Sequence, residues 1–173
     1  MSKTALKKHL QALPKERIIE TLLDAYTNSP PVKEYFDFYL IPNETEKAEK
    51  YKTIIKKEFD LYNPEKAGLK YSVAKKAISE FATFKPSPEV LADVMLTLPE
   101  AACEFTYTYG DMEESFYDAA VNNFRRVLIY MEKNGILQKF KQRCANCVKH
   151  ASPCGYGFAD EIEQLFYEYY ESK

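Results

Sequence analysis

Residues 87–110 read SPEVLADVMLTLPEAACEFTYTYG, and they carry most of the information about the architecture. Their apolar residues fall on two nearly opposite sides of a helix, the first formed by Val90, Leu91, Val94, Leu98, Ala101, Ala102, Phe105 and Tyr109 and the second by Leu96, Cys103 and Tyr107. A helix that is apolar on two sides needs neighbours on both of them. We therefore predict a central helix near residues 88–109.

Pro99 stands in the interior of this predicted helix. Because proline lacks a backbone N–H and its ring collides with the preceding turn, we expect the helix to be kinked or broken within a turn of Pro99. Gly110 is expected to end the helix, and Asp111 with Glu114 forms a candidate capping pair for the helix that follows.

Apolar residues recur at helical spacing along the rest of the chain, without alternating β-branched runs between hairpin turns. The helical segments are separated by breaks at residues 28–31, 42–44, 61–71, 134–135 and 152–157. This pattern predicts an all-α fold, a compact array of about eight or nine helices arranged as hairpins or as a short α–α superhelix. The length of 173 residues favours a single helical domain spanning residues 1–173.

The composition excludes several classes of protein. Hydrophobic residues make up 46% of the chain and charged residues 29%, which excludes a disordered chain. The 24 basic and 26 acidic residues leave a net charge of −2, so we expect neither nucleic acid nor a membrane as a partner. Residues 1–85 carry 16 basic and 12 acidic side chains, and residues 86–173 carry 8 and 14. This asymmetry either orients a partner or a second copy, or it is a solvated surface.

The sequence also bears on localisation. No apolar stretch of the length of a secretory signal follows the first residues, and no window approaches a membrane span. We therefore expect a cytoplasmic protein, in which the four cysteines are reduced thiols or metal ligands rather than disulfides.

The sharpest candidate for chemistry is the cluster Cys144, Cys147, His150 and Cys154. Zinc accepts three thiolates and an imidazole in a tetrahedral site, so the cluster is a candidate metal site. On a helix, however, Cys144 and Cys147 share the apolar face, where a thiol behaves as a small core hydrophobe. The core interpretation is favoured and the metal site is kept as the alternative. A redox pair is not favoured, because the two thiols lie in the middle of a helix.

Two weaker candidates remain. Asp93, Glu100 and Glu104 share a helix face, so they either bind a divalent cation, form an acid–base pair, or make salt bridges with neighbouring helices. A di-iron site is excluded because His9 and His150 are the two histidines of the chain, and His9 fits the surface of an amphipathic helix. Residues 155–160, GYGFAD, either expose helix N–H groups to a small ligand or form a simple turn.

Several motifs resemble one uncharacterised family of small bacterial proteins, a domain of unknown function. They are TALKKHL at residues 4–10, KEYFDFYL at 33–40, SVAKKAI at 72–78, PSPE at 86–89, FTxxYGD at 105–111 and GYGFAD at 155–160. The resemblance covers nearly the whole chain. It implies a single bacterial, cytoplasmic, helical domain and no established activity. Neither the cysteine cluster nor Pro99 belongs to the features that characterise the family.

The leading functional hypothesis is a non-enzymatic helical scaffold that binds another macromolecule or itself through an aromatic groove. It rests on the 14 tyrosines and 11 phenylalanines and on the lack of a convincing catalytic set in the sequence. The alternatives are metal binding through the cysteine–histidine cluster and small-ligand binding near residues 155–160. No catalytic residue and no cofactor is assigned.

Overall fold

A computed structural model describes residues 2–155 and 157–171 of the chain. This part of the chain forms nine α-helices and no β-strand, which confirms the all-α prediction and the expected number of helices. The helices are α1 (Lys3–Gln11), α2 (Lys15–Asn28), α3 (Pro30–Leu40), α4 (Glu44–Glu58), α5 (Tyr71–Thr83), α6 (Pro88–Tyr109), α7 (Glu114–Lys133), α8 (Lys141–Ala151) and α9 (Phe158–Tyr170). Short 3-10 helices cover Pro64–Lys66 and Leu137–Phe140.

The helices fall into two compact units that divide after Asn43. The N-terminal unit contains α1, α2 and α3, and the C-terminal unit contains α4 to α9. A single domain spanning residues 1–173 stays a prediction. Within the described residues, no helix has both the length and the apolar character needed to cross a membrane.

The core of the C-terminal unit is built around α6. This helix packs against α4, α5, α7 and α8, and both of its apolar sides are buried, as Val94 and Phe105 on one side and Leu96 and Cys103 on the other show. Two-sided burial is the reason that its sequence is apolar almost all round. The prediction of a central helix is therefore confirmed.

Pro99 lies in this helix without interrupting it. The helix runs from Pro88 to Tyr109 and Pro99 itself is buried, which leaves a kink rather than a break as the expectation there. A proline inside a helix costs about 3 kcal/mol. Burial of each large neighbour, such as Leu96 and Leu98, contributes about 1.5–3 kcal/mol, so tertiary packing outweighs the lost hydrogen bond.

The ends of α6 and α7 agree only in part with the sequence analysis. Gly110 ends α6 with a φ of 94°, a left-handed conformation that glycine adopts without strain. The prediction that Asp111 and Glu114 form a capping pair is wrong, because the residue at the N-cap of α7 is Glu113 and Glu114 is the first residue of the helix. Asp111 instead accepts hydrogen bonds from the Gly155 N–H and the Tyr117 hydroxyl, each at 3.0 Å.

Candidate functional site

A cleft of about 570 Å³ opens in the C-terminal unit where α4, α6 and α8 meet. Its walls come from the end of α4 and the loop after it, from the middle of α6 and from the last turns of α8. We call it the aromatic cleft, and its lining residues are Thr53, Lys56, Lys57, Phe59, Asp60, Leu61, Tyr62, Thr97, Glu100, Ala101, Glu104, Asn146, Cys147 and His150.

Two exposed tyrosines lie at this cleft, Tyr62 as a lining residue and Tyr107 through its contact with the lining residue His150. Tyr62 is 94% exposed and Tyr107 is 51% exposed. The ring of Tyr107 packs on that of His150, with centroids 5.0 Å apart and an interplanar angle of 30°. Isolated exposed apolar residues are ordinary, whereas a group of them beside a concave surface is typical of a binding site.

The loop that carries Tyr62 is fixed in place by two hydrogen-bonded groups. The Tyr109 hydroxyl donates a hydrogen bond to the Leu61 carbonyl. The Asp60 carboxylate accepts the N–H groups of Tyr62 and Asn63 at 2.9 and 3.1 Å, and these backbone bonds lower the pKa of Asp60. Tyr62 is therefore exposed on an ordered loop rather than on a free one.

The two lips of the cleft carry opposite charges. Lys56 and Lys57 are exposed on the α4 side, and neither forms an ion pair within the described part of the chain. Glu104 is exposed on the α6 side. A ligand that crosses the cleft therefore meets two lysines, with the hydrogen-bonded Asp60 beside them, on one side and the carboxylate of Glu104 on the other.

Beside the cleft, a network of ion pairs joins α4, α6 and α8. Arg143 donates to both oxygens of Glu100 at 2.7 and 2.6 Å and also to Asp93, which accepts a further bond from Lys52 at 3.0 Å. Burial alone raises the pKa of Asp93, but the hydrogen bonds from Arg143 and Lys52 outweigh it and lower that pKa. Of the interpretations of the carboxylate strip, this arrangement favours salt bridges for Asp93 and Glu100.

The structure does not bring the cysteine–histidine cluster together. Cys144 accepts a hydrogen bond from the Tyr170 hydroxyl at 3.4 Å, and Cys147 contacts Cys103. Cys154 lies 3.5 Å from the Thr106 hydroxyl and bonds the His150 carbonyl at 3.7 Å. Residues 2–155 and 157–171 contain no group of three or more His, Cys, Asp or Glu placed to hold a metal ion.

The chemical state of the thiols follows from these surroundings. Burial raises the pKa of Cys144 to about 11, and the hydrogen bond to Cys103 together with burial raises that of Cys147. Both thiols are therefore protonated at neutral pH, whereas nucleophiles and metal ligands act as thiolates. The arrangement favours the interpretation of Cys144 and Cys147 as core residues.

A polar network that joins the buried Tyr117 to the exposed Asp111 was missed by the sequence analysis. The Tyr117 hydroxyl donates to Asp111, accepts the Met112 N–H at 3.0 Å and lies 2.9 Å from the Thr106 hydroxyl. Because Asp111 also binds the Gly155 N–H, the network ties the end of α6 to the loop before α9. The two motifs FTxxYGD and GYGFAD therefore meet, through a contact between residues 44 apart that helical spacing does not predict.

The small-ligand hypothesis for residues 155–160 gains little from this geometry. The Gly155 N–H is already bonded to Asp111, and Gly157 has a left-handed φ of 74° just before α9, as a simple turn requires. Tyr156 lies outside the described residues. His9, by contrast, is exposed on α1, as expected for the surface of an amphipathic helix.

The fold and the cleft define a small all-α protein with a central buried helix and a solvent-open aromatic site. Comparison with known families then places the chain more narrowly. It belongs to DUF6155, a family of unknown function whose model matches residues 1–170. No curated protein and no solved structure matches the chain.

Proposed function

We propose that this protein is a non-enzymatic interaction domain that binds a segment of another protein in the aromatic cleft. The observation that carries the proposal is the pair of exposed rings, Tyr62 and Tyr107, at the mouth of a cleft whose walls are ordered. Tyrosine supplies a large contact area with few rotatable bonds, which is why it is common among the residues that dominate binding energy.

The size and charge of the cleft indicate what kind of segment fits. A volume of about 570 Å³ lies within the range of ligand pockets and has room for a few side chains. The exposed rings of Tyr62 and Tyr107 match a segment with an aromatic or apolar centre. Lys56 and Lys57 on one lip and Glu104 on the other match charged residues on either side of that centre. The flanks of the segment would carry an acidic residue on one side and a basic residue on the other.

The reactive groups around the cleft support binding rather than catalysis. Glu100 forms an ion pair with Arg143 through two hydrogen bonds, and Cys147 is a protonated thiol. The imidazole of His150 packs on Tyr107. A bacterial and cytoplasmic setting is part of the same proposal, supported by the motifs quoted above.

Selection of peptides from a displayed random library on the full chain tests this function. Peptides that bind the natural chain are then measured on Tyr62→Ser/Tyr107→Ser and on Tyr167→Ser, a matched control whose ring is 47% exposed on α9. A hot-spot tyrosine contributes about 2 kcal/mol or more, which is about thirtyfold in affinity. If one of the two rings has this role, we expect the double variant to bind at least about thirtyfold more weakly and the control to be unchanged.

The charges give a second readout for the same peptides. We expect Lys56→Glu/Lys57→Glu to weaken binding of the selected peptides and to shift a new selection away from acidic flanks. The function is refuted if no peptide is enriched, or if the enriched peptides bind the double tyrosine variant as well as the natural chain.

A further inference from the structure

The N-terminal unit contains two amphipathic helices, α1 and α2, whose apolar residues all stay at least partly exposed, although α2 packs against α3. Neither α1 nor α2 has a buried side chain among the described residues, although apolar residues recur along both. The large apolar side chains exposed on α1 and α2 are each between 45% and 59% exposed, namely Leu6, Ile19, Leu22 and Leu23. Helices of 9 and 14 residues are marginal in water without packing, so this face needs a cover.

The apolar face lies beside a groove and is flanked by charges of both signs. A groove of about 750 Å³ runs along α1, lined by Leu6 and Leu10 together with Ile18 of α2. Lys3 and Lys7, one turn apart on α1, lie at its edge.

On α2, acidic residues recur every four positions at Glu16, Glu20 and Asp24, so they share one side of the helix. That side is next to the exposed Ile19 and Leu23. Glu20 is paired there with Arg17 of the same helix at 2.5 Å, so Glu16 and Asp24 are the carboxylates that can meet a cation from outside. The apolar stripe of α2 thus has an acidic flank, whereas that of α1 has a basic one.

We propose that this face pairs with the same face of a second copy of the chain, with α1 of one copy along α2 of the other. In a two-fold pair, each contact occurs twice, so the Lys3 and Lys7 edge of each copy meets the acidic edge of the other. The exposed Leu22 and Leu23 of α2 then fill the groove along α1 of the opposite copy.

The mixture of charges selects a second copy over other occupants. An anionic membrane or an acidic protein would be attracted by α1 but repelled by Glu16 and Asp24 of α2. A face that carries both signs on separate helices is complementary to itself. The N-terminal unit also approaches the size, about 40 residues, below which chains usually need oligomerisation or another support.

The extent of the face predicts a weak dimer. A stable interface uses about 20–30 residues on each side, and only part of the 9 and 14 residues of the two helices faces outward together. We therefore expect a dissociation constant in the range of about 1–100 μM.

Analytical ultracentrifugation of the full chain over a concentration series tests the proposal, with charge reversal as the perturbation. Lys3→Glu/Lys7→Glu and Glu16→Lys/Asp24→Lys each place like charges on facing helices and leave the Arg17–Glu20 pair intact, so each alone should dimerise at least about tenfold more weakly. An equimolar mixture of the two variants restores both contacts. We expect it to associate within about threefold of the natural chain.

Adjacent lysines supply the matched control. Lys7 lies beside the apolar face, whereas Lys8 lies on the other side of α1. Lys7→Glu and Lys8→Glu therefore make the same change of charge at two different places on the helix. We expect Lys7→Glu to weaken the dimer and Lys8→Glu to leave it within about twofold, and circular dichroism at a concentration where both variants are monomeric should show equal helix content.

Several outcomes would overturn the inference. The first is a chain that stays monomeric at every concentration, and the second is association that the charge reversals do not weaken. The third is a mixture of the two double variants that does not associate. The fourth is binding to anionic vesicles that Lys3→Glu/Lys7→Glu abolishes. None of these outcomes bears on the aromatic cleft, so the dimer and the proposed function can fail separately.

Discussion

Replacement of Arg143 by methionine, which removes the guanidinium group, tests whether the ion-pair network holds α4, α6 and α8 together. In Arg143→Met, Glu100 loses two charged hydrogen bonds and Asp93 loses one, although Asp93 keeps Lys52. Hydrogen bonds to charged groups contribute about 1.5–3 kcal/mol each when buried. The three side chains are 27–33% exposed, so solvent reduces this value, and we expect a total loss of about 2–3 kcal/mol.

The matched control is the exposed pair of Lys139 with Glu89, whose side chains are 58% and 52% exposed. Exposed ion pairs contribute about 0–1 kcal/mol, so Lys139→Met should change the free energy of unfolding by no more than about 0.5 kcal/mol. Urea unfolding followed by circular dichroism separates the two. With an m-value of about 2 kcal/mol/M, Arg143→Met lowers the midpoint by about 1 M.

The loss of stability in Arg143→Met should also depend on pH, in a direction that the pKa of Asp93 sets. The folded pKa of Asp93 is lower than that of the unfolded chain, so its contribution to stability is present above the unfolded value and is lost as pH falls through the folded one. The difference between natural chain and Arg143→Met should therefore be full at pH 7 and shrink below about pH 4. A loss below about 0.5 kcal/mol, or one equal to that of Lys139→Met, would refute the reasoning.

Three further predictions concern the interior of the C-terminal unit. Tyr117→Phe removes the hydroxyl that donates to Asp111 and should lower the free energy of unfolding by about 1–3 kcal/mol in thermal or urea unfolding; an unchanged midpoint contradicts the role of this network. Cys154 is only partly buried, so it should react with a thiol reagent at least about tenfold faster than Cys144 and Cys147, which require unfolding; equal rates in the folded protein contradict their burial. Elemental analysis should find less than about a tenth of an equivalent of zinc or iron, and a stoichiometric metal that stabilises the fold would restore the alternative at the cysteine–histidine cluster.

The helices were predictable because their signals are local. Residues three and four apart report directly on one helix face, and the two-sided pattern of residues 88–109 identified α6 as central. Gly110 and Gly135, which end helices with positive φ, carry the same kind of local information. Pro99 is the exception, since the cost of its missing hydrogen bond is local but the packing that offsets it is not.

The site was less predictable because it depends on contacts distant in sequence. Asp111 fits a local capping pattern, yet its carboxylate is bonded to Gly155, 44 residues away. Arg143 gave no signal at all, although it neutralises Glu100 across 43 residues. Tyr62 comes from a loop that periodicity does not describe, and its exposure follows from the bonds that Asp60 makes.

The aromatic residues themselves show why composition alone was insufficient. Phe59, Tyr71 and Phe116 form a cluster of edge-to-face rings in the core, with centroids 5.3–6.1 Å apart. Such rings stabilise the fold and offer little surface to a partner, since even Phe59, which lines the cleft, is only 2% exposed. Only the rings that packing leaves uncovered can bind one, and which rings these are depends on the tertiary structure rather than on the number of tyrosines.

The two uncovered surfaces differ in what they require of their occupants. The aromatic cleft is concave and its walls are fixed by hydrogen bonds from Asp60 and Tyr109, so a short segment can bind there without changing the protein. The face of α1 and α2 has little internal packing to fix it, so part of the energy of association is spent on ordering those helices. Binding at the cleft should therefore leave helix content unchanged, whereas association through α1 and α2 should raise it.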